Sequence, residues 1–216
     1  MVEKFHDELQ RLKDDMLTMG FLALEMLSQS LEALEKQDAA LARSVVDRKR
    51  ELTGWDERNE EAALRLIALY QPMAGDLRTI ATSLKMVTYL TRIGSYGKDI
   101  AKAAERLAEE PQIGGLLSIP HMGEIVRGMI GGSLKAFETG DLSFVNGMSK
   151  RDDQVDDLRT TIFRESVTRM MEDPATISRC TDYVMIARYL ERCGDHACKI
   201  AEKVHFMVTG ERVEIT

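Results

Sequence analysis

The sequence predicts an all-α fold, on three observations. All four prolines, Pro72, Pro111, Pro120 and Pro174, fall between long segments whose apolar residues recur at steps of three and four. Residues typical of strands never form an alternating run. The two halves of the chain repeat one another, each reading as three helices with short connections. The economical architecture is therefore two tandem three-helix bundles, six long antiparallel helices in all.

The first segment places Leu9, Leu12, Met16, Met19, Ala23, Leu27, Leu31 and Leu34 on one stripe of a helix. At 1.5 Å per residue that helix is about 50 Å long. Asp38 reads as an N-cap, and a second stripe runs through Leu41, Val45, Leu52, Trp55, Ala62, Leu66 and Leu69 until Pro72 ends it. A third helix extends from about Met73 to Leu107. Glu109 to His121, with Pro111, Gly114, Gly115 and Pro120, reads as a linker. Beyond it come a helix to Phe137, a stop at Thr139-Gly140 with Asp141 as the next cap, a helix to Met171, an Asp173-Pro174 start and a long last helix. The expected domains are 1–110 and 117–216.

The repeat is visible in the numbering. An offset of 100 carries Met86, Leu90, Ile93, Gly97, Ile100 and Ala104 onto Ile186, Leu190, Cys193, Ala197, Ile200 and Val204. An offset of 103 carries Leu31, Leu34, Asp38, Leu41 and Leu52 onto Leu134, Phe137, Asp141, Phe144 and Val155.

Composition limits the function. With 29 Lys+Arg against 36 Asp+Glu the formal charge is −7, and no stretch is basic enough to displace counterions from a phosphate backbone, so nucleic acid is excluded as a partner. The chain is 44% hydrophobic and 30% charged, which suits a globular protein, and its apolar runs stop far short of a membrane span. The opening residues carry alternating charges and no secretory apolar stretch, so a cytoplasmic location is expected. Cys180, Cys193 and Cys198 lack a C-x-x-C spacing and are expected to be reduced and buried. Most of the 13 methionines fall at core spacing. Gly128, Gly131 and Gly132 inside the fourth helix imply close helix contact or a kink.

Candidate chemistry sits in the last two helices. Glu191 and Asp195 are one turn apart, as are Asp152 and Asp156, and each pair interrupts an apolar stripe. Residues at equal height in an antiparallel hairpin have a constant index sum. Asp152 with Asp195 and Asp156 with Glu191 share one sum, whose midpoint falls in the turn near Glu172 to Pro174. Four carboxylates are thus expected to face one another as two level pairs. So many like charges need a compensating cation, supplied by a metal or by arginines such as Arg159 and Arg192. Oxygen-only ligands favour a hard ion, Mg, Mn, Ca or iron, over structural zinc.

The run Leu190-Glu191-Arg192-Cys193-Gly194-Asp195-His196-Ala197, continuing to Ile200-Ala201-Glu202, resembles the signature of the PhoU family of phosphate-transport regulators. Gln71-Pro72, Ala74 and Asp76-Leu77-Arg78 resemble that family's opening of the third helix. The resemblance covers both repeats. It implies two three-helix bundles, no catalysis, and a multinuclear hard-cation cluster, foremost iron, on the E-x-x-x-D and D-x-x-x-D motifs. It also implies negative regulation of phosphate uptake and starvation signalling, acting with the ATPase subunit of the phosphate ABC transporter and with a sensor histidine kinase. Such a protein is a homodimer that reaches the membrane only through its partners.

The first repeat departs from that pattern. Thr91 and Ser95 stand where the second repeat has Glu191 and Asp195, and Lys49 and Thr53 where it has Asp152 and Asp156. Metal is therefore expected in the second bundle alone. Two other classes compete, a carboxylate-bridged di-metal enzyme and a metal-free helical scaffold. The enzyme reading is weakened because Cys198, not histidine, follows Asp195 at the third position. His196, adjacent to Asp195 in a helix, points about 100° away from it, which argues against a base-and-orienter pair.

Overall fold

The computed structural model describes residues 2–113 and 118–215, so the middle of the expected linker, with Gly114 and Gly115, lies outside the described residues. Helix α1 (Val2–Lys36) is 35 residues long, and every residue of its predicted stripe is buried. Asp38 then caps α2 (Ala39–Asp47), its carboxylate accepting the Leu41 N–H at 2.9 Å. The predicted second helix is interrupted once, at Arg48, before α3 (Lys49–Tyr70) continues. At the break Arg48 pairs with Glu25 of α1 at 2.8 Å. Leu69, expected in the buried stripe, is 60% exposed, and Tyr70 takes the inward position after Leu66, its ring on Phe5 of α1.

Helix α4 (Ala74–Leu107) closes the first bundle with Met86, Leu90, Ile93, Gly97, Ile100 and Ala104 all buried. Gly97 is where α1 crosses closest, since a Cβ there would lie 3.0 Å from Leu27 N and 3.1 Å from Met26 C. The linker is shorter than expected. Pro120 and His121 lie inside α5 (Ile119–Thr139), with Pro120 in its first turn, where its missing N–H leaves no helical bond unmade. The preceding segment is docked: Gln37 Nε2 donates to Glu110 O at 2.7 Å and Arg179 Nη1 to Pro111 O at 2.8 Å.

Gly140 ends α5 in the left-handed conformation, φ +75°. Asp141 is a cap, but of a 3₁₀ turn at Leu142–Val145, so α6 (Met148–Glu172) starts later than predicted. Phe144, matched by the repeat to a stripe position, lies in that turn and is 41% exposed. The turn runs over Gly132, where a Cβ would come within 2.7 Å of Phe144 O, whereas Gly128 and Gly131 face open space. Of the three glycines, Gly132 is thus the one that close contact requires. Asp173 and Pro174 open a 3₁₀ turn at Pro174–Thr176 that leads into α7 (Ile177–Thr209).

Helices α1 to α4 form the first bundle and α5 to α7 the second, and the two share one continuous core. They meet along α4–α7 and α1–α5. At the second seam the contact is reciprocal: Leu134 of α5 fills the space over Gly20, and Leu31 of α1 fills the space over Gly123. Both pairs are equivalent under the 103-residue offset, so the halves meet about a pseudo-twofold axis. No helix among the described residues is long and apolar enough to cross a membrane.

Candidate metal centre

The α6–α7 hairpin brings the four acidic residues to one face. Asp152 lies over the α7 backbone at Gly194, its Oδ1 3.5 Å from where a Cβ would stand. Val155 of α6 occupies the same gap, and in the first repeat Gly94 seats the equivalent Leu52. The glycine shared by both motifs is a seat for the preceding helix, and in the second repeat it lets a carboxylate approach.

Burial raises the Asp152 carboxyl above the usual carboxylate range, and Asp195 across the hairpin raises it further. The Cys198 thiol, buried on α7, donates a hydrogen bond that pulls the other way. Burial and Asp195 likewise raise Glu191, with a contribution from Asp156 and opposing pulls from Arg192 and Arg159. The couplings across the hairpin, Asp152 to Asp195 and Glu191 to Asp156, join the residues with equal index sums. Asp156 is exposed, and the other three are partly buried.

Arginine competes for this face. Arg192 lies between Glu191, at 3.6 Å, and Asp195, at 3.3 Å. Among the described residues no three His, Cys, Asp or Glu side chains converge into a ready cage. The donor set nonetheless fits a hard cation in its chemistry and in the level of its members. Asp152, Asp156, Glu191 and Asp195 would hold it, with Arg192 turning out to solvent.

The equivalent face of the first bundle has no carboxylate at the four matched positions and is mixed in charge, with Asp56 and Asp99 near Lys49. Lys49 carries an ammonium whose pKa is lowered by burial, then by Lys98, with Arg92 adding to the effect. Thr91 donates to Asp56 at 2.5 Å, Ser95 to Thr91 O and Thr53 to Lys49 O, so the three hydroxyls are used internally.

Two residues had roles that helical periodicity does not reveal. Arg78, in the motif opening α4, donates from Nε to Met207 O at 3.3 Å, so it holds the last turn of α7 in the other repeat. His196 is sandwiched by Tyr89 and Tyr96 of α4 at centroid distances of 5.7 and 5.9 Å. A carboxylate-bridged di-metal enzyme would show Glu-x-x-His on paired helices, and the sequence has that spacing at Glu3/His6 and Glu202/His205. Glu202 is committed to Lys199 and to the Ile215 N–H, so that pair serves the segment after α7. All three cysteines are buried and free, and burial raises the Cys193 and Cys198 thiols.

These features define a class, a two-repeat, all-helical protein with an acidic hairpin face in one repeat and none of those four carboxylates in the other. The PhoU domain model matches residues 16–104 and 119–204, and the chain belongs to the PhoU family. It is 40% identical over 213 residues to a phosphate-specific transport system accessory protein PhoU homolog of Caulobacter vibrioides, covering 98% of this chain and 93% of that one. A protein of the same name from Clostridium acetobutylicum is 36% identical, with 98% and 97% covered. The crystal structure of PhoU from Pseudomonas aeruginosa superposes with a TM-score of 0.91 at 35% identity, over 96% of this chain and 100% of that one. A phosphate transport system regulatory protein PhoU from Streptococcus pneumoniae gives 0.88 at 29%, over 97% and 99%.

Proposed function

We propose that this protein is a non-catalytic accessory regulator that restrains phosphate uptake and phosphate-starvation signalling, and that its second bundle holds a multinuclear hard-cation cluster. The names of its relatives, accessory and regulatory proteins of phosphate transport, support the first part. The metal part rests on one observation, the cross-hairpin pairing of Asp152 with Asp195 and of Glu191 with Asp156. Two partly buried carboxyls there are driven towards protonation, and a di- or trivalent ion relieves that charge excess. Iron is the ion we favour, with manganese, magnesium and calcium suited to the same donors. Bound metal turns an acidic patch into one that accepts carboxylate or phosphate groups of a partner. The partners of this reading are the ATPase subunit of the phosphate ABC transporter and a sensor histidine kinase. The protein works as a cytoplasmic homodimer and meets the membrane only through them.

The test has two readouts. Protein loaded with ferrous iron or manganese should retain ions in elemental analysis, and the variant Asp152→Ala/Asp156→Ala/Glu191→Ala/Asp195→Ala should lose them. Ions retained by that variant would place metal elsewhere and overturn the site. Phosphate-uptake assays should show lost restraint in the same variant; full restraint without metal would make the cluster structural.

A further inference from the structure

We propose that the cleft between α4, α7 and the 210–215 segment binds a small polyanion of the phosphate class, a condensed phosphate or a phosphate ester. The cleft has a volume of about 310 Å³, and its charged walls are Lys85 of α4, Lys203 of α7 and Arg212 of the segment beyond α7. Among the described residues neither lysine ammonium makes an ion pair or hydrogen bond. Among the described residues the Arg212 guanidinium has the Phe206 ring beneath it, at 5.8 Å. Among the described residues, three cations thus line one hollow with no ion pair of their own. Among the described residues the carboxylate in the wall is Glu202, which is 6% exposed and already taken by Lys199 at 2.8 Å and by the Ile215 N–H at 3.1 Å.

Two lysines and an arginine converging on a hollow match phosphate oxygens, which accept charge-assisted hydrogen bonds from both head groups. The volume is at the low end of ligand sites, about 300–1,000 Å³, and exceeds what one orthophosphate fills. Ala81, Phe206 and Val213 add an apolar wall. A ligand with two or more charges and a body beyond one phosphate group fits this combination.

One wall of the cleft is the segment that follows α7. Arg212 and Val213 belong to a segment folded back along α7 by the buried Glu202 through the Ile215 N–H, with Glu211 O bonded to His205 Nδ1 at 3.2 Å. A ligand that contacts Arg212 stabilises the folded-back segment by linkage. The site uses none of the acidic-face residues and stands or falls independently of the metal reading.

Chelator-treated protein, free of bound cations, should be titrated calorimetrically at low salt with pyrophosphate and with ATP, in turn. Saturable binding of at least one probe is expected, at least 10-fold weaker in Lys85→Ala/Lys203→Ala and unchanged in Lys4→Ala, an exposed lysine of α1. Bound probe should also slow tryptic cleavage after Arg212 severalfold. Absence of saturable binding to both probes, or equal affinity in the double variant with native circular dichroism, would overturn the proposal.

Discussion

Tyr96 and His196 stack on one another at 5.9 Å with their rings 12° from parallel, and each occupies the other's position in the opposite repeat. Tyr89 and Tyr189 are a second equivalent pair, stacked on His196 and on Tyr96 respectively. The α4–α7 seam is therefore built from one repeat motif meeting itself, with histidine substituted once.

That substitution makes the seam acid-sensitive. Burial lowers the His196 pKa to about 4, with Arg92 of α4 and Arg192 of α7 pushing the same way. A folded pKa below the unfolded value of about 6.5 means that the unfolded chain binds more protons in between. Stability is lost as pH falls from about 6.5 towards 4, by about 2–3 kcal/mol. Urea unfolding of metal-free protein at pH 7 and 4.5 should show this loss, and His196→Phe, which keeps the stack, should remove that share of it. Identical pH dependence in the variant would refute the assignment.

Asp152 has the opposite sign. Its raised pKa favours the protonated carboxyl, so its stabilising contribution is present below the ordinary carboxylate pKa and disappears as pH rises through the folded value. At pH 7 the ionised group strains the metal-free fold. Asp152→Asn keeps an acceptor for the Cys198 thiol and should stabilise metal-free protein at pH 7, the gain vanishing as pH falls below the ordinary carboxylate range. With metal added the order should reverse, as read by melting temperature.

Glycines in similar helical settings should respond in opposite directions. Gly97→Ala drives a methyl into the α1 backbone at Met26 and Leu27 and should cost about 2 kcal/mol or more even after the gain in helix propensity. Gly128→Ala meets nothing and should gain about 0.5–1 kcal/mol. Thermal melts of the two variants, one lowered and one raised by about 2 °C or more, would display the difference.

Arg78→Ala removes the donor to Met207 O and the side chain that packs beside Gly210. The expected loss is about 1 kcal/mol globally. Amide exchange should accelerate locally in residues 206–210, at the far end of the other repeat. Exchange that rises instead around residue 78 alone would assign Arg78 a purely local role.

Much of this was legible in the residues. The α1 stripe, the Asp38 cap and the 100-residue match of α4 with α7 follow from periodicity and capping chemistry. The level pairing of the four acids followed from the position of the α6–α7 turn, because a hairpin's register is set by its midpoint. Other features depended on neighbours remote in sequence. Arg48, at the break between α2 and α3, pairs with Glu25 of α1, and Leu69 is exposed because Tyr70 takes the inward position on Phe5. Arg192 was named as a competitor for the acids, but its place between Glu191 and Asp195 was visible only in three dimensions.

The sequence by itself determined six helical segments, their repeat and the acidic asymmetry of the two halves, because helix periodicity, caps and turns act over a few residues. Tertiary structure alone decided how the repeats face each other. Gly20 against Leu134, Tyr96 against His196 and Arg78 against Met207 are contacts between residues about 100 positions apart, selected by the shape and polarity of docked faces. The polyanion cleft belongs to the same class. Lys85, Lys203 and Arg212 mean little along the chain, and they converge only because α4 and α7 pack side by side and Glu202 draws the following segment back over them.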